Sequence, residues 1–183
     1  MPSPIGHALA GVAAAWLVAG APKAPRVADT LVGKVPATFL LDGVLFGALA
    51  VLPDVDLIAG AHSGPTHSVG AAAIVGVAAL AIARQLGARH AGRLALACMA
   101  AYASHVLLDW LGSDSSPPIG VMALWPFSRA YYESDLHVFL AISRRYYQGW
   151  RFVTQNVLAV SLELMILVPA IALVWRFRGR RAD

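Results

Sequence analysis

Charge is scarce in this sequence. Of its 183 residues, 14 are Lys or Arg and 10 are Asp or Glu, so only 13% carry a charged side chain. A soluble domain typically has about 25% charged residues. With 58% hydrophobic residues and a mean hydropathy of +0.66, this shortage excludes a disordered chain and an ordinary water-soluble enzyme. Most of the chain is therefore expected to lie in lipid.

Cysteine is scarcer still, because Cys98 is the only one and it lies within an apolar run. A disulfide framework is therefore excluded. No Lys or Arg precedes Lys23, so the first apolar run lacks the positive segment of a signal peptide. We expect this run to remain in the protein.

Five apolar runs are present, and each is predicted to be a transmembrane helix, since a span needs about 20 residues. The predicted spans are 5–21, 36–52, 69–86, 94–111 and 157–175. The second reaches this length only if it begins at Pro36, a residue suited to a first helical turn. No repeat and no second domain is visible. The predicted fold class is all-α, a polytopic membrane protein with a single helical domain over 1–183.

The basic residues divide unequally between the two sides of such a bundle. Ten of the 14 fall in the loop 22–35, the loop 83–93 and the tail after 175. Loops rich in Lys and Arg stay in the cytoplasm. The sequence therefore predicts a multi-pass protein of the cytoplasmic membrane with a cytoplasmic C-terminus. No basic patch alternates with aromatic residues, so no nucleic-acid partner is expected.

Histidines and acidic residues collect at the opposite, outward end of the predicted bundle. They begin the first helix, follow the second, precede the third and occupy the last turns of the fourth: His7, Asp54, Asp56, His62, His67, His105 and Asp109. Imidazole and carboxylate ligands together suit Zn, with Mn or Fe as alternatives, rather than Ca or Mg. We therefore predict an outward-facing site for one or two divalent metal ions.

His105 and Asp109 form the pair with the clearest geometry. Residues four apart on a helix share one face, about 5–6 Å apart at Cβ, so both can ligate one ion. Ionisable groups within a span are costly and by default mark a functional site. The alternative is an interfacial pair that touches water and holds the end of the helix.

The other candidates each have a structural alternative as well. Asp54 and Asp56 can cap a turn. Thr66 or Ser68 can cap the third helix, and a histidine beside such a cap, here His67, is not usually a ligand. Only the convergence of all these groups at one end favours a metal site.

The candidates belong to five short motifs: Gly6-His7, Leu52-Pro53-Asp54-Val55-Asp56, the string His62–Ser68, Ser104-His105 with Asp109, and Leu124-Trp125-Pro126-Phe127. In this order they resemble the YdjM-like inner-membrane proteins, a family described as membrane-bound metal-dependent hydrolases. The resemblance covers about residues 5–128. It implies a small helical membrane protein with these metal ligands: His7, Asp54, Asp56, His67, His105 and Asp109, with His62 at a less certain position.

The chain departs from the family pattern at Ser63, where an Arg usually stands. If that Arg binds a substrate phosphate or carboxylate, another residue must supply the charge here, and Arg129, Arg144 and Arg145 are the candidates. More distantly, the His-x-x-x-Asp pair among scattered ligands is similar to the zinc-dependent phospholipase C and single-strand nuclease group. That likeness favours a phosphoester substrate.

The segment 127–152 intersperses aromatic residues with Arg, a pattern typical of an amphipathic helix at the membrane interface. It is expected to be an anchor or, alternatively, a lid that admits a lipid or lipid-linked substrate. Glu133 and His137, four apart within it, would form a second helical ligand pair. In the fifth span, Glu163 is a candidate ligand, ligand-supporting group or general base.

The leading hypothesis is a membrane-bound metal-dependent hydrolase. It would act on a phosphoester or lipid-linked substrate at the outer membrane face by metal-activated water. Asp56 would bridge, orient or act as base, and Glu163 is the second catalytic candidate. Two alternatives stay open. One is a metal or proton transporter, since intramembrane His and Asp also mark ion paths. The other is a non-catalytic membrane protein with a structural metal or a regulatory binding role.

Overall fold

The structure, a computed structural model, describes residues 1–21, 37–60, 62–115 and 117–179. Five α-helices lie within these ranges: α1 (Pro4–Ala19), α2 (Ala37–Val51), α3 (Val69–Gln85), α4 (Ala91–Leu111) and α5 (Trp150–Arg178). A 3₁₀ helix, Leu52–Ala59, continues α2, and a second one, Tyr146–Gln148, precedes α5. The described residues form isolated β-bridges but no strand. The predicted all-α class is therefore confirmed.

Each predicted span overlaps one of these helices, but their bounds differ from the prediction. α1, α2 and α3 have 16, 15 and 17 residues. At about 1.5 Å per residue they are shorter than the roughly 30 Å hydrocarbon core of a bilayer. α5 begins at Trp150 rather than at 157. Among the described residues, two helices, α4 and α5, are long and apolar enough to cross a membrane.

Part of the sequence-based topology rests on residues that lie outside the described ranges. These are the predicted start of the second span and five of the basic residues used for orientation: Pro36, Lys23, Arg26, Lys34, Arg180 and Arg181.

α1 lies at the middle of the bundle, where it contacts α2, α4 and α5, while α3 packs on α4. The core between these helices is built largely from small side chains around Trp16 and Phe46. Gly11 is required for the close approach of α1 to α2, since a Cβ at this position would lie 2.3 Å from the Cβ of Ala50. Small residues at helix contacts are typical of helices packed in a membrane.

The interfacial helix expected over 127–152 is not formed. Residues 127–145 have no helical backbone, and only the last three residues of the range belong to α5. The physical reason is a pairing with the end of α4. The backbone N–H groups of Ser134 and Val138 donate to the carbonyl groups of Trp110 and Leu111 at 2.9 and 2.8 Å. Carbonyl groups in the last turn of a helix have no partner within the helix, so this non-helical segment satisfies two of them.

The start of α3 is fixed by its own cap and by the loop that contains Leu124-Trp125-Pro126-Phe127. The hydroxyl of Ser68 accepts a hydrogen bond from the Ala71 N–H at 3.0 Å, which confirms the predicted cap. The N–H groups of Val69 and Gly70 donate to carbonyl groups of this loop at 2.9 and 3.1 Å. The first N–H groups of a helix lack partners within it, so both contacts hold α3 in place directly after His67.

Candidate metal centre

Four elements deliver their polar side chains to one end of the bundle. The start of α1, the 3₁₀ helix after α2, the turn before α3 and the last turns of α4 meet there, and they bring together His7, Asp54, Asp56, His62, His67, His105 and Asp109. Four of them are buried to 1% exposure or less: His7, His67, His105 and Asp109. Polar groups buried so deeply are costly unless they have partners.

Asp109 lies at the middle of this cluster. Its Oδ1 is 3.3 Å from His7 Nε2, and its Oδ2 is 3.0 Å from His105 Nε2 and 3.6 Å from His67 Nε2. Asp54 approaches the same two nitrogens, with its Oδ1 3.6 Å from His67 Nε2 and 3.8 Å from His105 Nε2. Three imidazole Nε2 atoms therefore face two carboxylates.

In two of these histidines, the second ring nitrogen, Nδ1, also has a polar partner. His105 Nδ1 lies 2.7 Å from the Ala50 carbonyl oxygen, which can only accept, so Nδ1 carries the proton and Nε2 has a free lone pair. His67 Nδ1 lies 3.3 Å from Asp56 Oδ2 and 3.0 Å from the Thr66 hydroxyl. Histidines that bind metal are typically fixed in this way by a carbonyl or carboxylate on the second nitrogen.

Asp56 consequently lies behind His67 rather than among the atoms that face the Nε2 nitrogens. Its Oδ2 accepts a hydrogen bond from the Thr66 hydroxyl at 2.8 Å, and its Oδ1 is 3.6 Å from His62 Nδ1. Of the three roles expected for Asp56, this position favours orientation of the histidines. Thr66 was expected only as a helix cap. Its position next to His67 in the sequence was the one feature that indicated its contact with His67 Nδ1.

The N–O distances around Asp109 and Asp54 can be compared with those of hydrogen bonds and with those between two ligands of one metal ion. N–H···O hydrogen bonds measure about 2.7–3.2 Å. Two ligands of one tetrahedral zinc ion, each about 2.0–2.1 Å from it, lie about 3.3–3.4 Å apart. Most of the N–O distances around Asp109 and Asp54 are 3.3–3.8 Å. His67 Nε2, His105 Nε2 and both carboxylate oxygens of Asp109 make no hydrogen bond within the described structure, although all four atoms are buried. This donor set fits a divalent metal.

The candidate ligands form two adjoining groups. His7, His105 and Asp109 make one, and Asp54, His62 and His67 make the other, with one ligand atom from each residue within 4.8 Å of the others in its group. His67 joins the groups, since its Nε2 lies 3.6 Å from a carboxylate oxygen of each. The arrangement has the ligands for one ion or for two neighbouring ions.

Burial and charge act in opposite directions on Asp54. Burial raises the pKa of its carboxyl group, but the interactions with the nearby rings of His67, His105 and His7 outweigh it and leave the pKa below its ordinary value of 3.8. For His62, burial first and then the charges of His67 and Arg144 lower the pKa below 6.5. At neutral pH, Asp54 is therefore an anion and His62 is neutral, as ligands of a cation must be.

Glu163 lies outside both groups. It is fully buried on α5, where its Oε1 accepts a hydrogen bond from the Ser3 N–H at 2.7 Å and its Oε2 accepts one from the Ser3 hydroxyl. Ser3 is the N-cap of α1, and its carbonyl accepts the N–H of His7 at 3.0 Å. Of the roles expected for Glu163, this position favours support of the helix start that carries His7.

The three arginines expected near a substrate are not together. Arg144 Nη2 lies 3.3 Å from His62 Nε2, and Arg144 and Arg145 both line a cavity of about 440 Å³ beside His62. Arg129 is exposed on the loop after Phe127, and it does not line this cavity.

Glu133 and His137 lie close together, but not as a helical pair. Their side chains are 3.7 Å apart at Oε1 and Nδ1, on backbone that is not helical, and His137 is half-exposed. The expected second ligand pair on a helix is therefore wrong, because this segment pairs with the end of α4 instead.

Residues 1–181 match the family described as YdjM inner membrane protein. The chain belongs to this family. The match extends beyond the residues that carry the motifs, and it includes α5 and the segment before it. Membership in the YdjM inner membrane protein family also supports the expected location in the inner membrane. No curated protein and no solved structure matches the chain.

Proposed function

We propose that this YdjM family member is a membrane-bound metal-dependent hydrolase. The observation that carries the proposal is the arrangement of His7, His67 and His105, whose Nε2 atoms face the carboxylates of Asp54 and Asp109 at 3.0–3.8 Å. These five residues would hold the metal. Zn suits this donor set best, with Mn or Fe as alternatives.

A divalent ion at such a site supplies a water nucleophile at neutral pH and polarises the scissile oxygen of the substrate. Asp56 supports this chemistry from two sides. Its Oδ2 holds His67 in one orientation, and its Oδ1 lies 3.6 Å from His62 Nδ1 at the open side of the cluster.

Within the described residues, the cluster is most open on the side of Asp54 and His62. The side chains of Asp54 and His62 are 20% and 18% exposed, whereas those of His7, His105 and Asp109 are at most 1% exposed. Substrate and water would therefore approach past Asp54 and His62. The buried side excludes water, which strengthens the electrostatic interactions of the ligands.

We place this open side at the outer face of the membrane, with five spans and a cytoplasmic C-terminus. The segment before α5 supports a position of this side at a membrane–water interface, because Phe127, Tyr146, Tyr147 and Trp150 are 73–91% exposed. Large aromatic residues concentrate at the membrane–water interface. A phosphoester, or a substrate linked to lipid, would reach the cluster from that interface.

A transporter would need polar groups along the whole depth of the bundle. In the part of the chain that the structure describes, the buried polar side chains gather at one end: Ser3, His7, Ser63, His67, Ser68, Ser104, His105, Asp109, Ser134 and Glu163. This distribution favours a site over an ion path.

The test is hydrolysis by the purified protein in detergent, after chelator treatment and after addition of Zn, Mn or Fe. The substrates are a phosphomonoester, a phosphodiester, a carboxyl ester and a phospholipid. We expect metal-dependent cleavage of a phosphoester, lost in Asp109→Asn and retained in His90→Ala, a histidine outside the cluster. A protein that holds metal but cleaves none of the four would contradict the proposal and favour a structural metal.

A further inference from the structure

We infer that the cavity beside the metal centre is a subsite for a phosphate-type anion. This inference rests on the proposed function and specifies its substrate: a molecule with an anionic group in addition to the bond that is cleaved. Three features of the cavity carry it, namely its wall, its connection to the cluster and the hydrogen-bonding capacity of its arginines.

The wall of the cavity is polar and carries an excess of positive charge. It includes Arg144, Arg145, Gln148 and Gln155, with Asp114 as its one carboxylate. The Asp114 carboxylate is engaged by its own loop, where Oδ2 accepts the Gly120 N–H at 3.2 Å. The volume of about 440 Å³ lies within the range of small-molecule sites.

The cavity and the metal centre share one side chain, that of His62. Its Nε2 lies 3.3 Å from Arg144 Nη2 on the cavity side, and its Nδ1 lies 3.6 Å from Asp56 Oδ1 on the side of the centre. His62 is also, with Asp54, one of the two most exposed residues of the cluster. A molecule bound in the cavity therefore lies next to the open side of the metal centre.

The arginines determine which ligand fits. Each guanidinium has five N–H donors in a planar fork that matches the oxygens of phosphate or carboxylate. Within the described residues, Arg144 directs Nη2 toward His62 and the Arg145 guanidinium makes no hydrogen bond, so the other donors of Arg144 and those of Arg145 remain for a ligand. An oxyanion in the cavity would be held by two guanidinium groups while the scissile bond lies at the metal. An uncharged apolar chain would leave these charged groups without partners.

Isothermal titration of the metal-loaded, full-length protein in neutral detergent tests this inference. The probes are inorganic phosphate and micelles that contain phosphatidic acid. In the double variant Arg144→Gln/Arg145→Gln, we expect phosphate affinity to fall by about tenfold or more, since each arginine makes hydrogen bonds to a charged group. Arg151→Gln, an exposed arginine outside the cavity, is the control and is expected to bind as the unmodified chain does.

The two probes distinguish the source of the anion. If the binding of phosphate and of phosphatidic acid both depends on the two arginines, a free phosphate group is sufficient for binding. If only the binding of phosphatidic acid depends on them, the ligand is a lipid headgroup. Equal binding by the double variant and the unmodified chain for both probes overturns the subsite.

Activity separates the subsite from the proposed function. Arg-dependent anion binding without hydrolysis of any substrate would overturn the function and leave the subsite. Hydrolysis with an unchanged KM in the double variant would overturn the subsite and leave the function. The metal content of each variant, measured in parallel, shows that the centre is intact.

Discussion

His67 is held at both ring nitrogens. Asp56 and Thr66 fix Nδ1, while Nε2 faces the carboxylates of Asp54 and Asp109. A ring that is fixed in this way presents Nε2 in one direction. The His67 side chain therefore loses little conformational entropy when metal binds. The contribution of Asp56 is therefore to metal affinity, through His67.

Replacement of Asp56 by Asn tests this contribution. The substitution removes the charge beside His67 Nδ1 but keeps the size of the side chain. We expect metal affinity to fall by about 10- to 100-fold, as for other groups that orient a ligand, while metal still binds at saturation. Competition with a fluorescent chelator measures the affinity.

Thr154→Val is the matched control for Thr66→Val. Thr154 is partly exposed, and among the described residues its hydroxyl bonds to carbonyl groups of its own helix. We expect Thr66→Val to weaken metal binding and Thr154→Val to leave it unchanged. Unaltered affinity in both Asp56→Asn and Thr66→Val would show that His67 is not oriented by this pair.

At the scale of residues, spacing in the sequence predicted the pair His105 and Asp109, because a helix alone places them on one face. The contacts of Thr66 were not predictable, because they depend on parts of the chain that are distant in sequence. Tyr102, for example, donates its hydroxyl to the Thr66 carbonyl at 2.8 Å from α4. No local pattern indicates such a contact.

At the scale of elements, α1 is tied to α5 at the end where His7 lies. The buried carboxylate of Glu163 accepts both the N–H and the hydroxyl of Ser3, and the Ser3 hydroxyl accepts the N–H of Gly6 at 3.1 Å. A Cβ at Gly6 would lie 2.6 Å from Glu163 Oε2, so the two helices are in close contact here. The position of His7 therefore depends on a residue of α5.

Glu163→Ala tests this dependence. Two buried donors of Ser3 lose their acceptor, which costs about 1–3 kcal/mol each, so we expect a lower melting temperature in detergent. Metal affinity is expected to fall as well, because His7 is displaced. Glu163→Gln keeps one acceptor oxygen and should restore part of both. A loss of kcat with unchanged melting temperature and metal affinity would instead indicate that Glu163 is a general base.

The segment 127–152 shows where sequence patterns fail at this scale. Aromatic residues and Arg at irregular spacing are compatible with an interfacial helix, and the sequence was interpreted in that way. In the structure, non-helical backbone of this segment packs against the last turn of α4, through the N–H groups of Ser134 and Val138. The segment pairs with carbonyl groups that are unpaired because α4 ends there. The sequence of the segment itself gives no sign of these acceptors.

At the scale of the whole molecule, the convergence of four elements at one bundle end was predictable, because it follows from the order of the apolar runs and the turns between them. The number of spans is not fixed by the helices, since two of the five have the length of a span. Orientation rests on the basic residues. Arg84 at the end of α3, Arg89 in the connection and Arg93 at the start of α4 lie at the end opposite the metal centre.

Cysteine labelling of intact cells tests the orientation. In a Cys98→Ser background, we expect a maleimide that cannot cross the membrane to label Ala130→Cys, near the metal centre, without permeabilisation. Ala88→Cys, between α3 and α4, should be labelled only after permeabilisation. Both positions are exposed in the structure. The reverse pattern would place the metal centre in the cytoplasm.

The metal content of the purified protein tests the central claim most directly. Elemental analysis of the unmodified chain should find one or two divalent ions per molecule. His105→Ala and Asp109→Ala should lose them, and His90→Ala should retain them, with elution as a single folded species verified for each variant. Full metal content in both His105→Ala and Asp109→Ala, or an unmodified chain that binds no divalent metal, would contradict the account.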